Sequence, residues 1–136
     1  MNDERMTSWL EHYLDRLGAV AGTVHLQREG HLHLAAAVNI PPKVCEIVTF
    51  VPNGKGMAGL ALQRGVPVQT CNLKEDESGN VKPGAKAVDA KAAAALPLED
   101  GSGRVHAVVG IAFGDERTLT DEMLASFVAE AADFPT

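Results

Sequence analysis

A chain of 136 residues with 46% hydrophobic and 22% charged side chains has the size and composition of one globular domain, too short for two catalytic domains and too apolar for a disordered segment. Twelve basic against 18 acidic residues leave a net charge of −6, which argues against nucleic acid or an anionic membrane surface as the main partner; no apolar run approaches the roughly 20 residues that span a bilayer. Aromatic side chains make up only 4%, so base-stacking platforms are disfavoured and the core must be filled by small and aliphatic groups.

Met6, Trp9, Leu10, Tyr13, Leu14 and Leu17 recur at helical spacing and predict an amphipathic helix from Met6 to Leu17, ended by Gly18. Ala19 to Gln27 and His31 to Val38 alternate as strands around an Arg28-Glu29-Gly30 turn. With those three residues at the tip, Leu26 faces Leu32 and Val24 faces Leu34, and the other face collects Thr23, His25, Gln27, His31, His33 and Ala35. Pro41-Pro42 interrupts the pattern before a short helical turn and a strand around Ile47 to Val51. Pro52-Asn53-Gly54-Lys55-Gly56 is a tight loop feeding a helix from Met57 to Arg64, which Gly65 stops, and a strand follows from Val66 to Asn72. Lys74 to Ala85 reads as a long surface loop, and Ala87 to Lys91 as a helical turn. Ala92 to Leu98 and Arg104 to Phe113 form a second hairpin, and Thr118 with Asp121 caps a last helix carrying Leu119, Met123, Leu124, Phe127, Val128 and Ala131. The fold class is therefore α+β, with a mostly antiparallel sheet of five or six strands. The terminal helices cover one face, and the short helices and the long loop cover the other.

The run Val51-Pro52-Asn53-Gly54-Lys55-Gly56-Met57-Ala58-Gly59-Leu60-Ala61 and the strand Val66-Pro67-Val68-Gln69 resemble the glycine-rich turn, small-Gly helix and x-P-V strand of GAF domains, a sensory fold related to PAS. Ala94-Ala95-Leu96-Pro97-Leu98, Val109-Gly110-Ile111-Ala112-Phe113 and Thr118-Leu119-Thr120-Asp121-Glu122 are similar to later segments of that family, in the same order. The resemblance covers essentially the whole chain and implies one GAF-like domain over residues 1–136. It also implies a ligand-sensing or dimerisation role in signalling. The free methionine-R-sulfoxide reductases are the minimal enzymes of this fold. Their chemistry needs a thiolate to attack sulfur and a second thiol to release the product. Their pattern has a cysteine shortly before the glycine-rich turn, one immediately after it and a catalytic one before the P-L strand. Here Cys45 precedes the turn by a few residues more than that pattern, the position after the turn is Met57 or Ala58, and Lys82 to Lys91 contains no cysteine, so the enzyme reading is not supported. The cyclic-nucleotide and bilin signatures of the family are also unmatched.

His25, His31 and His33 are the metal candidates, weighed against a solvated or pocket-lining polar face, and no metal is assigned. Gly54-Lys55-Gly56 lacks the Ser or Thr that follows the lysine of a P-loop and reads as a tight turn. Cys71 is a redox candidate, although a lone cysteine at a strand end is more often a small buried hydrophobe. His106 is expected to be structural. The proposed ligand lining is His25, His33, Val68, Thr70, Ala94 and Leu96, with the loop between Lys74 and Lys91 as a lid. Trp9, Tyr13 and Phe127 exceed what one sheet face requires and point to a homodimer through the terminal helices. The expected molecule is a regulatory domain that binds an unidentified small molecule and acts through dimerisation or a partner protein; the alternatives are an interaction module without a ligand and, behind it, an enzyme like the free methionine-R-sulfoxide reductases. Its cofactors are unknown. The acidic start, Met1-Asn2-Asp3-Glu4, lacks a signal-peptide pattern, so a cytoplasmic location with free thiols is expected.

Overall fold

The N-terminal apolar stripe folds as the spacing predicts. In the computed structural model, which describes residues 4–70, 92–115 and 118–134, helix α1 runs Glu4–Leu17 and stops where Gly18 takes a φ of 74°. Then come β1 (Ala21–Arg28), β2 (His31–Val38), α2 (Pro42–Ile47), β3 (Phe50–Val51), α3 (Gly56–Arg64) and β4 (Val68–Thr70). Strands β5 (Ala92–Glu99) and β6 (Val105–Phe113), helix α4 (Asp121–Glu130) and a 3-10 turn, Ala131–Asp133, complete the described residues. Their sheet has the order β3-β2-β1-β6-β5-β4, and every neighbouring pair is antiparallel. The α+β architecture thus matches expectation, and two hairpins far apart in sequence meet at the sheet centre through β1 and β6.

Three local expectations are corrected. Ile47 belongs to α2 and not to a strand, because Pro42 starts a helix for which its fixed φ is suited, and β3 shrinks to two residues. The last helix is capped by Thr120, whose Oγ1 accepts the Met123 N–H at 3.2 Å, and not by Thr118. A cap must sit immediately before the first helical residue to reach the N–H three positions on. Thr120→Ala is expected to cost about 1 kcal/mol in denaturant melts, and Thr118→Ala far less.

The third correction concerns the first hairpin. Its turn holds two residues, Glu29 and Gly30, at φ 55° and 84°, the left-handed pair of a type I′ turn whose twist suits the strands. Leu26 therefore pairs with His33, His25 with Leu34, and Gln27 with Leu32. This register is one residue off the three-residue tip, and it sends Val24 and Leu32 to opposite faces. Val24 packs beneath the terminal helices and Leu32 beneath α3.

Both sheet faces are covered. Leu10, Tyr13 and Leu14 of α1 and Leu124 of α4 pack on Val24, Leu96, Val109 and Phe113. On the other face Val44 of α2 meets Ala21 and Ala93, and Ala61 of α3 meets Leu32, Val68, Ala95 and Val108.

The aromatic surplus of the terminal helices is used within the chain. Tyr13 is fully buried and donates its hydroxyl to the Phe127 carbonyl at 2.5 Å; burial pushes its pKa well above the ordinary phenol range. Trp9 stacks on Tyr13 at 4.7 Å, meets Phe134 edge-on at 4.9 Å, and donates Nε1–H to Asp133 at 3.0 Å. Phe127 lies 6.1 Å from Phe113. Of the three residues expected at a dimer interface, Tyr13 has no surface to offer, while Trp9 and Phe127 are partly buried. The sequence pattern missed the C-terminal turn that brings Phe134 and Asp133 back onto α1.

Candidate functional site

The second sheet face is built from unusually small residues. Strand register aligns Thr23, Gly110 and Ala95 in one row across β1, β6 and β5, and Ala21, Ala112 and Ala93 in the next. Such a floor cannot fill the space beneath a helix layer. Gly110 has no room for a Cβ, which would lie 2.7 Å from Thr23 Oγ1, so the threonine leans over its neighbour. Val44, Ile47 and Val48 roof the gap from α2, and Met57 and Ala58 from the start of α3. Between floor and roof lies a cavity of about 200 Å³.

The loop leading to α3 is fastened to that helix. Gly54 N–H donates to the Gly59 carbonyl at 2.9 Å and Gly59 N–H to the Lys55 carbonyl at 3.0 Å. Gly59 is also where α3 crosses Pro52, since a Cβ there would stand 2.5 Å from the Pro52 carbonyl oxygen. The glycine-rich turn thus serves close packing, as expected, and sets Lys55 and the first turn of α3 at the cavity wall.

His25 is the buried polar residue of this wall, 3% exposed. Its Nε2 lies 2.8 Å from the Val48 carbonyl; because a carbonyl only accepts, Nε2 carries the proton and Nδ1 presents a lone pair. Nδ1 is buried and has no hydrogen-bond partner among the described residues. Burial lowers the pKa of the imidazole below its ordinary value, outweighing the Val48 hydrogen bond that acts the other way. The neutral ring therefore ties β1 to the end of α2.

A pH dependence follows with a definite sign. The unfolded chain takes up a proton at His25 near the ordinary histidine pKa of about 6.5, whereas the folded chain resists it to lower pH. Stability is full above that value and falls as pH drops toward the depressed folded pKa, by at most about 1.4 kcal/mol per unit from this group. Thermal melts between pH 8 and 5 should show the loss, and His25→Phe should remove its share of the slope.

The residues expected to line a site are only partly gathered. His25 and Ala94 border the cavity, but Ala94 packs into the core beneath the terminal helices, and Leu96 is buried wholly there. Val68 sits beneath α3, and Thr70 pairs with Ala93 at the end of β4. Because Ala92 to Ala95 is an unbroken alanine run, it has no alternation from which to read a face; pairing with β6 sends Ala93 and Ala95 to the cavity side. His33 is separated from His25 by the corrected register. It lies with His31 against Phe50, at ring distances of 5.2 and 5.3 Å, and His31 Nδ1 accepts the Asn53 N–H at 3.2 Å. Among the described residues no group of three or more metal-ligating side chains comes together. Cys71 and the stretch from Lys74 to Lys91 lie outside the described residues. Cys45, half-buried, points its Sγ at the Ile40 carbonyl, 3.7 Å away. His106 meets Phe134 edge-on at 5.8 Å. Short helices were expected over this face, the paired prolines announcing the first of them; that Val44, Ile47 and Val48, together with Thr23 and Lys55, line the cavity was not foreseen.

The antiparallel sheet carries the terminal helices on one face and a pocket under the short helices on the other. The chain belongs to the GAF domain family, whose profile matches residues 3–133, and members of that family commonly bind small molecules in sensing. Its fold is similar to that of the type II free methionine-R-sulfoxide reductase from Thermoplasma acidophilum, with a TM-score of 0.72 at 15% identity over 94% of this chain and 85% of that one. The GAF domain of A. aeolicus nlh2 in an inactive state superposes with a TM-score of 0.67 at 23% identity, covering 93% and 75% of the two chains. The GAF domain of a phosphoenolpyruvate-protein phosphotransferase from Coxiella burnetii gives 0.71 at 16% identity, covering 96% and 82%. At these identities the likeness is one of fold. No curated protein matches the sequence. No helix among the described residues is long and apolar enough to cross a membrane.

Proposed function

We propose that this GAF domain is a regulatory module that binds a small molecule in the cavity between the sheet and helices α2 and α3, and that occupancy is read by a partner protein or a second copy. The observation that supports the reading is the cavity itself, about 200 Å³ over a floor of alanine and glycine, with buried His25 in its wall. A floor of larger side chains would have filled the space. Ligand contact with Val44, Val48 and Met57 would shift the populations of α2 and α3, since a ligand moves an equilibrium only by its differential affinity for the two states.

The test is a thermal-stability screen of the chain against a metabolite library, run in parallel on Ala112→Leu. Ala112 is half-buried on the cavity floor, so the leucine extends into free space. A true ligand at 100 times its Kd adds about 2.7 kcal/mol to the wild type and little to the variant. The reading fails if no compound stabilises the protein, or if those that do act equally on Ala112→Leu.

A further inference from the structure

We infer that the cavity selects a small uncharged molecule made mostly of hydrocarbon, of roughly six to eight non-hydrogen atoms with at most one polar oxygen. The inference rests on the reading of the cavity as a ligand site and names the class of ligand. The chemistry of the wall carries it. Of the residues that line the cavity, all but Thr23, His25 and Lys55 are apolar, and no aspartate or glutamate lines it among the described residues. His25 gives its Nε2–H to Val48 and its other ring nitrogen is sealed from water, so the imidazole offers the cavity no free hydrogen-bonding atom. Lys55 is exposed, which keeps its ammonium in water at the rim. Thr23 puts a hydroxyl on the floor, where a Cβ on Gly110 would lie 2.7 Å from its Oγ1.

The apolar character extends to the entrance. Ile47, at the end of α2, lines the cavity and is 55% exposed. A large aliphatic side chain left in water at the edge of a hydrocarbon-lined space is the arrangement that an apolar occupant covers. Charge is excluded by its cost: an ionised carboxylate or ammonium among these side chains loses its hydration and meets no buried counter-charge. Water is poorly held too. A buried water needs several polar partners, whereas the floor side chains supply one hydroxyl, and hydrocarbon that displaces such water gains affinity. Size sets the rest. A hydrocarbon-lined cavity of about 150 Å³ takes one molecule the size of benzene, and this one measures about 200 Å³.

Calorimetric titration of the full chain with the straight-chain primary alcohols from propanol to decanol tests the inference, with hexanoate and hexylamine as charged comparators. Affinity should climb about fourfold for each added CH₂. The climb should stop at roughly six to eight non-hydrogen atoms, where further carbons find no room. Hexanol should bind at least about tenfold tighter than either ion. Lys55→Gln should leave hexanol affinity within about twofold, as an exposed charge contributes little, and Ala112→Leu should abolish binding. If Ala112→Leu folds poorly, methyl spectra of the wild type decide in its place. Hexanol should then move the methyl resonances of Val44 and Met57 at the cavity and not those of Leu124 beneath the terminal helices. Equal binding of hexanoate or hexylamine overturns the inference, as does loss of hexanol binding in Lys55→Gln, an unbroken climb to decanol, or undiminished binding to a folded Ala112→Leu. Should the library yield an ionised ligand that Ala112→Leu excludes, the sensory reading stands and this assignment falls; should neither the alcohols nor any library compound bind, both fall.

Discussion

Leu10→Ala is expected to lower the stability of this domain by about 3 kcal/mol, equivalent to a fall in Tm of roughly 10 °C. Leu10 is fully buried where α1 packs over Gly22 of β1. A Cβ on Gly22 would stand 3.3 Å from Leu10 Cδ1, 2.9 Å from Leu14 Cδ2 and 2.7 Å from the Gly110 carbonyl oxygen. The leucines of α1 thus fill a hollow that the glycine of β1 leaves open. Collapse around the truncated side chain is resisted because the floor of the hollow is backbone held in the β1–β6 ladder, so most of the cavity created would persist. A denaturant series giving a loss below about 1 kcal/mol would mean that α1 does not dock in this way. Since Leu10 faces away from the α2–α3 cavity, ligand affinity measured well below the Tm should be unchanged.

Gly59→Ala should destabilise by about 2 kcal/mol or more, although the same change in an unconstrained helix interior stabilises by about 1 kcal/mol. The sign is set by tertiary contact. The added methyl would lie 2.5 Å from the Pro52 carbonyl oxygen and 3.2 Å from the Gly54 nitrogen, and both are backbone atoms of the loop that α3 crosses. Relief requires α3 to lift from that loop, which breaks the Gly54–Gly59 hydrogen bond and moves Met57 and Ala58 at the cavity wall. The variant should therefore also lose ligand-induced stabilisation. A neutral or stabilising outcome would show that the turn and the helix are not packed together.

How legible the site was depends on the kind of signal each strand carries. In β6 the less buried positions, His106, Gly110 and Ala112, all fall on one side of the pleat, and β2 was bounded correctly at His31–Val38, because a pleated strand covered on both sides still distinguishes large from small positions. The alanines of β5 do not, and its face had to come from the partner strand. The histidines were correctly placed on one hairpin, yet the choice between a two-residue and a three-residue turn decides whether His25 and His33 share a face. Arg28-Glu29-Gly30 has no Asn-Gly or Asp-Gly pair to announce a type I′ turn.

Length, acidity and aromatic poverty, together with two helical periods flanking strand patterns, suffice for an α+β fold with a sheet between helix layers, because these are local or additive properties of the chain. Which small residues line up into a cavity floor, where Trp9 and Tyr13 spend their rings, and that His25 keeps a buried lone pair without a donor depend on register and on contacts between residues distant in sequence. Those are settled only when β1 and β6 pair at the centre of the sheet and the C-terminal turn closes over α1. The aromatic scarcity noted at the outset thereby takes on a structural meaning: the rings are concentrated under and around the terminal helices, and the opposite face is left with groups too small to close it.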